Sequence, residues 1–183
     1  FFLDYSLYDG PKAAKGSYAG ARWDTQQWAA NLARTRDMLD KLKRPTVNVK
    51  PGQYRTYLAP RAFADVLGMM GWNALSAAAW KQGRSPFKKL VEREARFSPL
   101  LSFSENFGLA LTPRFNSQGE VSESLLPLMQ AGELRTLLVS SRTAREYGLT
   151  GNAADEGEAP RSLDVACGSL AERDILKAIG TGL

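Results

Sequence analysis

Acidic side chains lie close together in the stretch that contains Asp155, Glu156 and Glu158. Neighbouring carboxyl groups can serve as general acid and general base when their surroundings give them different pKa values. Gly157 and Pro160 fall within the same stretch, and both favour a loop that faces solvent. We therefore predict that this acidic stretch is a solvated loop, with acid–base catalysis as the alternative.

The sequence contains one cysteine, Cys167, and no histidine. Without histidine the chain can form neither a Ser-His-Asp triad nor a Cys-His pair, and it offers zinc no imidazole ligand. A metal site made only of oxygen ligands stays open as an alternative, although the sequence has neither an EF-hand loop nor an aspartate cluster. A helix predicted just after Cys167 would favour its thiolate, but no base is near it in sequence. We predict a buried structural thiol, no metal and no cofactor.

Backbone donors for a ligand could come from the glycine-containing segment YGLTGN, residues 147–152. This segment lacks the lysine of a phosphate-binding loop and the glycine spacing of a dinucleotide site. A helix end followed by a turn is therefore predicted. Gly151 and Asn152 are retained as candidates for contact with a substrate or a partner.

The formal net charge of +5 and the pI near 9.4 raise the question of nucleic-acid binding. Most of the basic residues in the first third of the chain fall on the polar side of one predicted helix, and no RNA-recognition, helix-turn-helix or zinc-knuckle signature accompanies them. A solvated helix face is predicted, with a nucleic-acid surface as the alternative. These residues are Arg34, Arg36, Lys41, Lys43, Arg44, Lys50 and Arg55.

The chain has 183 residues, of which 44% are hydrophobic, enough for a substantial core. No apolar run approaches the roughly 18–20 residues of a membrane-spanning helix, and no signal peptide is recognisable. The single cysteine excludes an internal disulfide and suits a reducing compartment, so a cytoplasmic location is predicted. The first residue is not Met, which favours a fragment of a longer protein.

The hydrophobic pattern predicts strands and helices without a regular βαβ rhythm, hence an α+β fold with a mainly antiparallel sheet and several short-to-medium helices. Predicted helices start at caps on Asp24, Asn73 and Ser141, at Pro60, and at a capping box over residues 169–172. A hairpin with a type II or bulged turn is predicted at Ala131-Gly132, with Pro127 at an edge or bulge. Predicted strands cover residues 1–8, 15–23, 46–49, 54–58, 100–103, 109–111, 125–130, 133–140 and 163–166, with a turn at Glu105-Asn106.

Several segments follow one another in a characteristic order: YLAPRAFADVLGMM, a small-residue helix, GRSPF, FNSQGEV, AGELRTLLVSSRTAREYGLTGNA and CGSLAERDILKAIGTGL. This order resembles the TldD/PmbA family, also known as modulator of DNA gyrase or microcin-maturation protease. The similarity covers roughly residues 15–183, and FNSQGEV…GEL and YGLTGNA are its most specific parts.

TldD-type members carry a zinc-binding HExxxH on the helix that corresponds to YLAPRAFADVLGMM. By position, the resemblance puts the first zinc ligand at Pro60, the catalytic acid at Arg61 and the last ligand at Asp65. Asp65 alone cannot hold zinc. The resemblance is therefore to the PmbA (TldE) side of the family, which lacks the zinc motif and accompanies a TldD-type subunit. It implies no catalytic and no metal-binding residue in this chain.

The resemblance also implies a longer two-domain protein. Residues 1–44 would end its N-terminal α+β domain, and residues 45–183 would begin its C-terminal TldD/PmbA-type domain. The implied function is that of a non-zinc subunit in a complex that trims unfolded or leader-bearing peptides, with a TldD-type zinc subunit or further copies of itself as partner. Two alternatives remain open: a stand-alone DNA- or gyrase-associated modulator, and a hydrolase whose catalytic groups lie outside this chain.

Overall fold

The computed structural model describes every residue from Phe1 to Leu183. It separates into two compact units, Phe1–Gln53 and Tyr54–Leu183. The predicted α+β class is confirmed, since six helices accompany two antiparallel sheets. None of the helices is both long and apolar enough to cross a membrane. The boundary between residues 44 and 45 concerns the domains of a longer protein and stays a prediction.

The first unit is a β-hairpin packed against one long helix. Tyr5 Oη and Thr35 Oγ1 form a hydrogen bond of 2.9 Å between the first strand and the helix. A Cβ at Gly16 would collide with both side chains, so glycine allows this close approach. The elements are β1 (Phe2–Asp9), β2 (Lys12–Ala19) and α1 (Thr25–Leu42).

The predicted cap of α1 is confirmed. Asp24 Oδ1 accepts hydrogen bonds from the backbone N–H groups of Gln26 and Gln27 at 2.9 and 3.0 Å. The N–H of Asp24 donates to Tyr18 Oη at 2.8 Å, so a tyrosine from β2 takes the place of the expected glutamine. A tertiary contact thus replaces half of a local capping box.

The second unit is built on a four-stranded antiparallel sheet with five helices. Its helices are α2 (Pro60–Gly68), α3 (Ala77–Lys81), α4 (Lys88–Val91), α5 (Ser141–Tyr147) and α6 (Ile175–Ile179). Its strands are β3 (Phe103–Asn106), β4 (Leu125–Gln130), β5 (Glu133–Leu134) and β6 (Leu163–Val165), in the spatial order β5-β4-β3-β6. The buried core cluster comprises Leu75, Phe103, Leu128, Met129, Leu138 and Ala154.

Three predicted strands are wrong, and a fourth, over residues 100–103, shares only Phe103 with β3. Residues 46–49 and 54–58 form no strand, although Tyr57 N–H donates to the carbonyl of Leu183 at 2.8 Å and Leu183 N–H donates to Arg55 at 2.9 Å. This pairing is too short to count as a ladder. Residues 109–111 begin at Leu109, the last residue of a 3₁₀ turn, and belong to no strand.

The turn predicted at Glu105 and Asn106 is also wrong, because both residues belong to β3. Glu105 pairs with Leu126 on one side and Leu163 on the other, and its side chain is only 2% exposed. Its carboxylate accepts hydrogen bonds from backbone N–H groups beyond the sheet. A polar pair typical of turns is therefore held in a strand by tertiary partners.

The hairpin of β4 and β5 is confirmed. Ala131 and Gly132 both have positive φ, 49° and 79°, so the turn is type I′ rather than type II. The second arm ends at Leu134, because Leu138 pairs instead with the segment before α3. Opposite Pro127 the register shifts, which confirms the predicted bulge.

Helix starts are displaced where a neighbouring serine makes the better cap. Ser76 rather than Asn73 caps α3, and Ser140 rather than Ser141 caps α5; both hydroxyls accept a backbone N–H. Gly148 ends α5 at φ 65°, as predicted. The capping box predicted over residues 169–172 does not form, since the chain enters a 3₁₀ turn at Glu172 without a side-chain cap.

Candidate functional site

Helix α2 carries the three positions that the resemblance aligns with a zinc motif. Pro60 is its first residue, where the missing N–H costs no hydrogen bond. The Nε atom of Arg61 lies 3.7 Å from Oδ1 of Asp65, and both side chains are largely exposed. Leu67, on the opposite side of the helix, is buried at 4% exposure, whereas Val66 is 42% exposed.

These positions do not fit a zinc ion. Proline has no donor atom, arginine is a cation, and the carboxylate of Asp65 is already next to a guanidinium. Nowhere in the chain do three His, Cys, Asp or Glu side chains gather into a metal-sized group. The chemistry of α2 is therefore that of an exposed ion pair on a packed helix.

The acidic stretch predicted to be a solvated loop contains a buried carboxylate, so that prediction is wrong for Glu158. This side chain is 2% exposed. Its Oε2 accepts hydrogen bonds from Ser76 Oγ at 2.6 Å and from the N–H of Ala78 at 2.8 Å, and its Oε1 accepts from the N–H of Ser140 at 2.9 Å. One carboxylate thus joins the first turns of α3 and α5.

Burial alone would raise the pKa of Glu158, but hydrogen bonds from Ser76, Thr143, Ala78 and Ser140 outweigh it, and the pKa lies below its usual value. These donors belong to two helix N-termini, whose free N–H groups favour negative charge. The carboxylate therefore stays ionised in the interior through helix ends rather than a salt bridge. It is a structural anchor.

The motif FNSQGEV forms a tight turn organised by the buried side chain of Asn116. Its Oδ1 accepts hydrogen bonds from the N–H groups of Gln118 and Glu120 at 3.0 and 2.9 Å. Its Nδ2 donates to the carbonyls of Ala153 and Ala154 at 3.3 and 3.2 Å. The two most specific stretches of the sequence therefore contact each other. We call the turn of residues 115–121 and the loop of residues 152–158 the loop cluster.

Two carboxylates hold the loop cluster in place: Asp155 joins its two segments, and Glu120 joins it to α5. Asp155 Oδ1 accepts from the N–H and the hydroxyl of Ser117, both at 2.8 Å, and these bonds, with the charge of Arg161, lower its pKa. Glu120 accepts a short hydrogen bond from the Ser141 hydroxyl, which with the Asn116 amide lowers its pKa. A carboxylate with a lowered pKa is a weak base, so this Ser–Glu contact does not resemble an activated nucleophile.

Arg161 ties the loop cluster to β3. Its Nη1 donates to the carbonyl of Phe115 at 2.9 Å, its Nη2 donates to Ser122 Oγ at 3.0 Å, and its guanidinium lies 4.8 Å from the ring centre of Phe107. Its own N–H donates to Glu105. The sequence alone did not mark Asn116 or Arg161 as residues that organise this site, and it placed Glu105 in a turn. For Asn116, the turn-forming string NSQG was a signal that could have been used.

The candidates Gly151 and Asn152 lie at the edge of the loop cluster. Asn152 Oδ1 accepts from the N–H of Val139 at 2.9 Å, and its Nδ2 donates to the carbonyl of Leu137 at 2.7 Å. The amide thus positions the strand-like segment before α5. A Cβ at Gly151 would make only ordinary contacts, the nearest with Ala144 at 3.6 Å. Contact of either residue with a substrate or partner stays a prediction.

Cys167 is exposed, so the prediction of a buried thiol is wrong. It follows β6, the edge strand of the sheet, where the chain leaves the core. The helix start expected beside it does not form, since the next element is a 3₁₀ turn at residues 172–174.

The second unit matches a known family in sequence. Residues 51–183, more than half of the chain, match the profile described as PmbA/TldA metallopeptidase C-terminal domain. No curated protein matches the chain in sequence.

Solved structures share the fold at low sequence identity. A Thermotoga maritima protein designated a candidate modulator of a DNA gyrase superposes with a TM-score of 0.70 at 18% identity, over 99% of this chain and 43% of its own. A Bacteroides thetaiotaomicron protein with a similar designation superposes with a TM-score of 0.62 at 17% identity, over 91% of this chain and 38% of its own. TldE from Thermococcus kodakarensis superposes with a TM-score of 0.62 at 13% identity, over 97% of this chain and 42% of its own. The chain thus spans about two fifths of these neighbours' length, and from its sequence match it belongs to the PmbA/TldD family.

Proposed function

We propose that this chain acts as a PmbA/TldE-like, non-zinc subunit of a TldD/PmbA-type peptidase complex that trims unfolded or leader-bearing peptides. The observation that carries the proposal is the chemistry of α2. Where the resemblance expects HExxxH, the helix presents Pro60 and an Arg61–Asp65 ion pair. Such a subunit would contribute chamber wall, interface and peptide contacts, while a zinc-bearing partner, or another copy in a homo-oligomer, completes the assembly.

The test is reconstitution with a TldD-type protein that carries HExxxH. Co-expressed with the full-length protein, the two should elute as one complex and cleave an unstructured peptide in a chelator-sensitive reaction. Replacing the motif's glutamate in the partner should abolish cleavage, whereas Arg61→Ala and Asp65→Ala here should change kcat by less than about twofold. Separate elution, with cleavage unchanged by adding this protein, would contradict the proposal.

A DNA- or gyrase-associated role is the second candidate, favoured by the net charge of +5. Part of the basic surface is already neutralised. Lys41 lies 2.6 Å from Asp37, and Lys43 lies 2.6 Å from Asp9 and 2.9 Å from Asp40. Binding to duplex DNA that weakens steeply with salt would support this role, and absence of binding at low salt would reject it.

A hydrolase whose catalytic groups lie outside this chain is the third candidate. Stoichiometric zinc in the purified full-length protein, without a partner, would favour it over a non-zinc subunit. For each candidate we propose a cytoplasmic location, since a single cysteine leaves no internal disulfide to form.

A further inference from the structure

A groove runs along the free edge of the sheet in the second unit. One wall is the segment of residues 90–96, which continues from α4, and the other is the segment of residues 133–137, which begins with β5. Two hollows of about 580 and 320 Å³ form it and share Leu90, Arg93, Leu134 and Arg135. We call it the β5 groove. None of its lining residues belongs to α2, and it borders the loop cluster only where Asn152 holds Leu137 and Val139.

The β5 edge offers unpaired backbone groups to this groove. Strand β5 is the last strand of its sheet. On β5, Leu134 is opposite Met129 of β4, and its neighbour Glu133 is opposite Gln130. On its other side, the N–H of Arg135 donates to the carbonyl of Leu128 at 2.9 Å, so Arg135 occupies a hydrogen-bonded position. In an antiparallel ladder, hydrogen-bonded and non-hydrogen-bonded positions alternate. The N–H and C=O of Leu134 therefore point away from β4, toward the open edge.

The groove combines an apolar floor with a basic rim. Three guanidinium groups line it, from Arg93, Arg96 and Arg135, against the carboxylates of Glu94 and Glu133. Glu133 is already paired with Arg135 at 3.3 Å. The excess charge at the rim is therefore positive. The floor is formed by Ala77, Trp80, Leu90, Leu137, Val139 and Leu149.

We propose that the β5 groove binds an extended peptide as an added β-strand, with an acidic side chain of that peptide directed at Arg93 and Arg96. An added strand uses the outward backbone groups of Leu134, which a helix or a small anion would leave unpaired. Apolar side chains of alternate residues would enter the two hollows, and the positive rim selects acidic residues. The biological role of this site rests on the proposed function, but the binding step needs no second subunit.

The first experiment measures binding by fluorescence anisotropy. The probes are fluorescein-labelled, acetylated heptapeptides of alternating Val and Thr with two glutamates, and the same peptides with glutamine or lysine there. The full-length protein should bind the glutamate peptide most tightly. N-methylation of every peptide bond should abolish binding, because it removes all backbone donors of the added strand. Equal affinity for the glutamate and lysine peptides, or binding that survives N-methylation, would overturn the proposal.

The second experiment locates the peptide by amide hydrogen exchange. The N–H of Leu134 should exchange more slowly when the glutamate peptide is bound, because it gains an acceptor. The N–H of Arg135 should change little, since it already donates to Leu128. Protection confined to other elements would place the peptide elsewhere and refute the site.

A matched pair of variants tests the rim. Arg93→Gln with Arg96→Gln should weaken the glutamate peptide by roughly tenfold and leave the glutamine peptide nearly unchanged. The control, Arg142→Gln with Arg173→Gln, removes the same charge from exposed sites outside the groove and should leave affinity unchanged. Equal losses in both variants would reject rim recognition. The peptide-binding test and the reconstitution test are independent. If the glutamate peptide does not bind, the protein can still assemble with a zinc subunit, and if assembly fails, the peptide can still bind.

Discussion

Replacing Glu158 should destabilise the second unit far more than replacing its exposed neighbour Glu156. The carboxylate accepts hydrogen bonds of 2.6, 2.8 and 2.9 Å from Ser76, Ala78 and Ser140, and Glu158, Ser76 and Ser140 are buried. Removing an acceptor from a buried donor costs about 1–3 kcal/mol for each donor left unsatisfied. Because helix ends relax and donors share the loss, we expect about 3–5 kcal/mol for Glu158→Ala, the range of a broken buried ion pair.

Glu158→Gln keeps the shape but turns an NH₂ group toward donors, so its cost should be about 2–4 kcal/mol. Glu156→Gln is the matched control and should stay within about 0.5 kcal/mol of the parent. Urea unfolding at pH 7, followed by tryptophan fluorescence and by circular dichroism, gives the free energies. Equal stability of Glu158→Gln and Glu156→Gln would refute the assignment of Glu158 as the anchor of α3 and α5.

The same pair of proteins tests the sign of the pKa shift. The folded-state pKa of Glu158 lies below the usual 4.5. A depressed carboxyl pKa stabilises the fold above the unfolded-state value, and this contribution is lost as pH falls through the folded-state pKa. The stability difference between parent and Glu158→Gln should therefore be full at pH 7 and shrink below pH 4.5. A difference that grows on acidification would contradict the ionised anchor.

Three further outcomes follow from the packing. Gly132→Ala should cost about 2–4 kcal/mol of folding stability, because the new Cβ would overlap the carbonyl oxygen of Phe97 and the φ of residue 132 is 79°. The control is Gly119→Ala, at an open site that also has positive φ. A decrease in melting temperature no larger than that of the control would argue against the overlap. Asn116→Ala should cost about 2–4 kcal/mol and release the loop cluster, seen as faster hydrogen exchange in residues 115–121 and 152–158; unchanged exchange would contradict its role as the link. Cys167 should react fully with a maleimide in the folded protein, as its exposure requires; reaction only after unfolding would contradict that placement.

Local patterns in the sequence predicted the elements that neighbouring residues can specify. The cap at Asp24, the proline at the start of α2 and the turn glycine at position 132 all act within a few residues, and each is confirmed. The α+β class also followed from element order. The absence of histidine needed no structure at all. Such signals are readable because caps, proline and positive φ depend on adjacent backbone.

Burial and partnership were decided by the tertiary structure alone. Glu158 reads as a loop residue, yet Ser76, 82 positions earlier, supplies its hydrogen bond. Cys167 reads as a core residue, yet it lies where an edge strand leaves the sheet. Glu105 and Asn106 read as a turn, yet both pair with β4, and Glu105 also pairs with β6. Local sequence sets the preferences of each segment, but whether a side chain meets solvent, a core or a helix end depends on residues distant in the chain, and that is settled only when the chain packs.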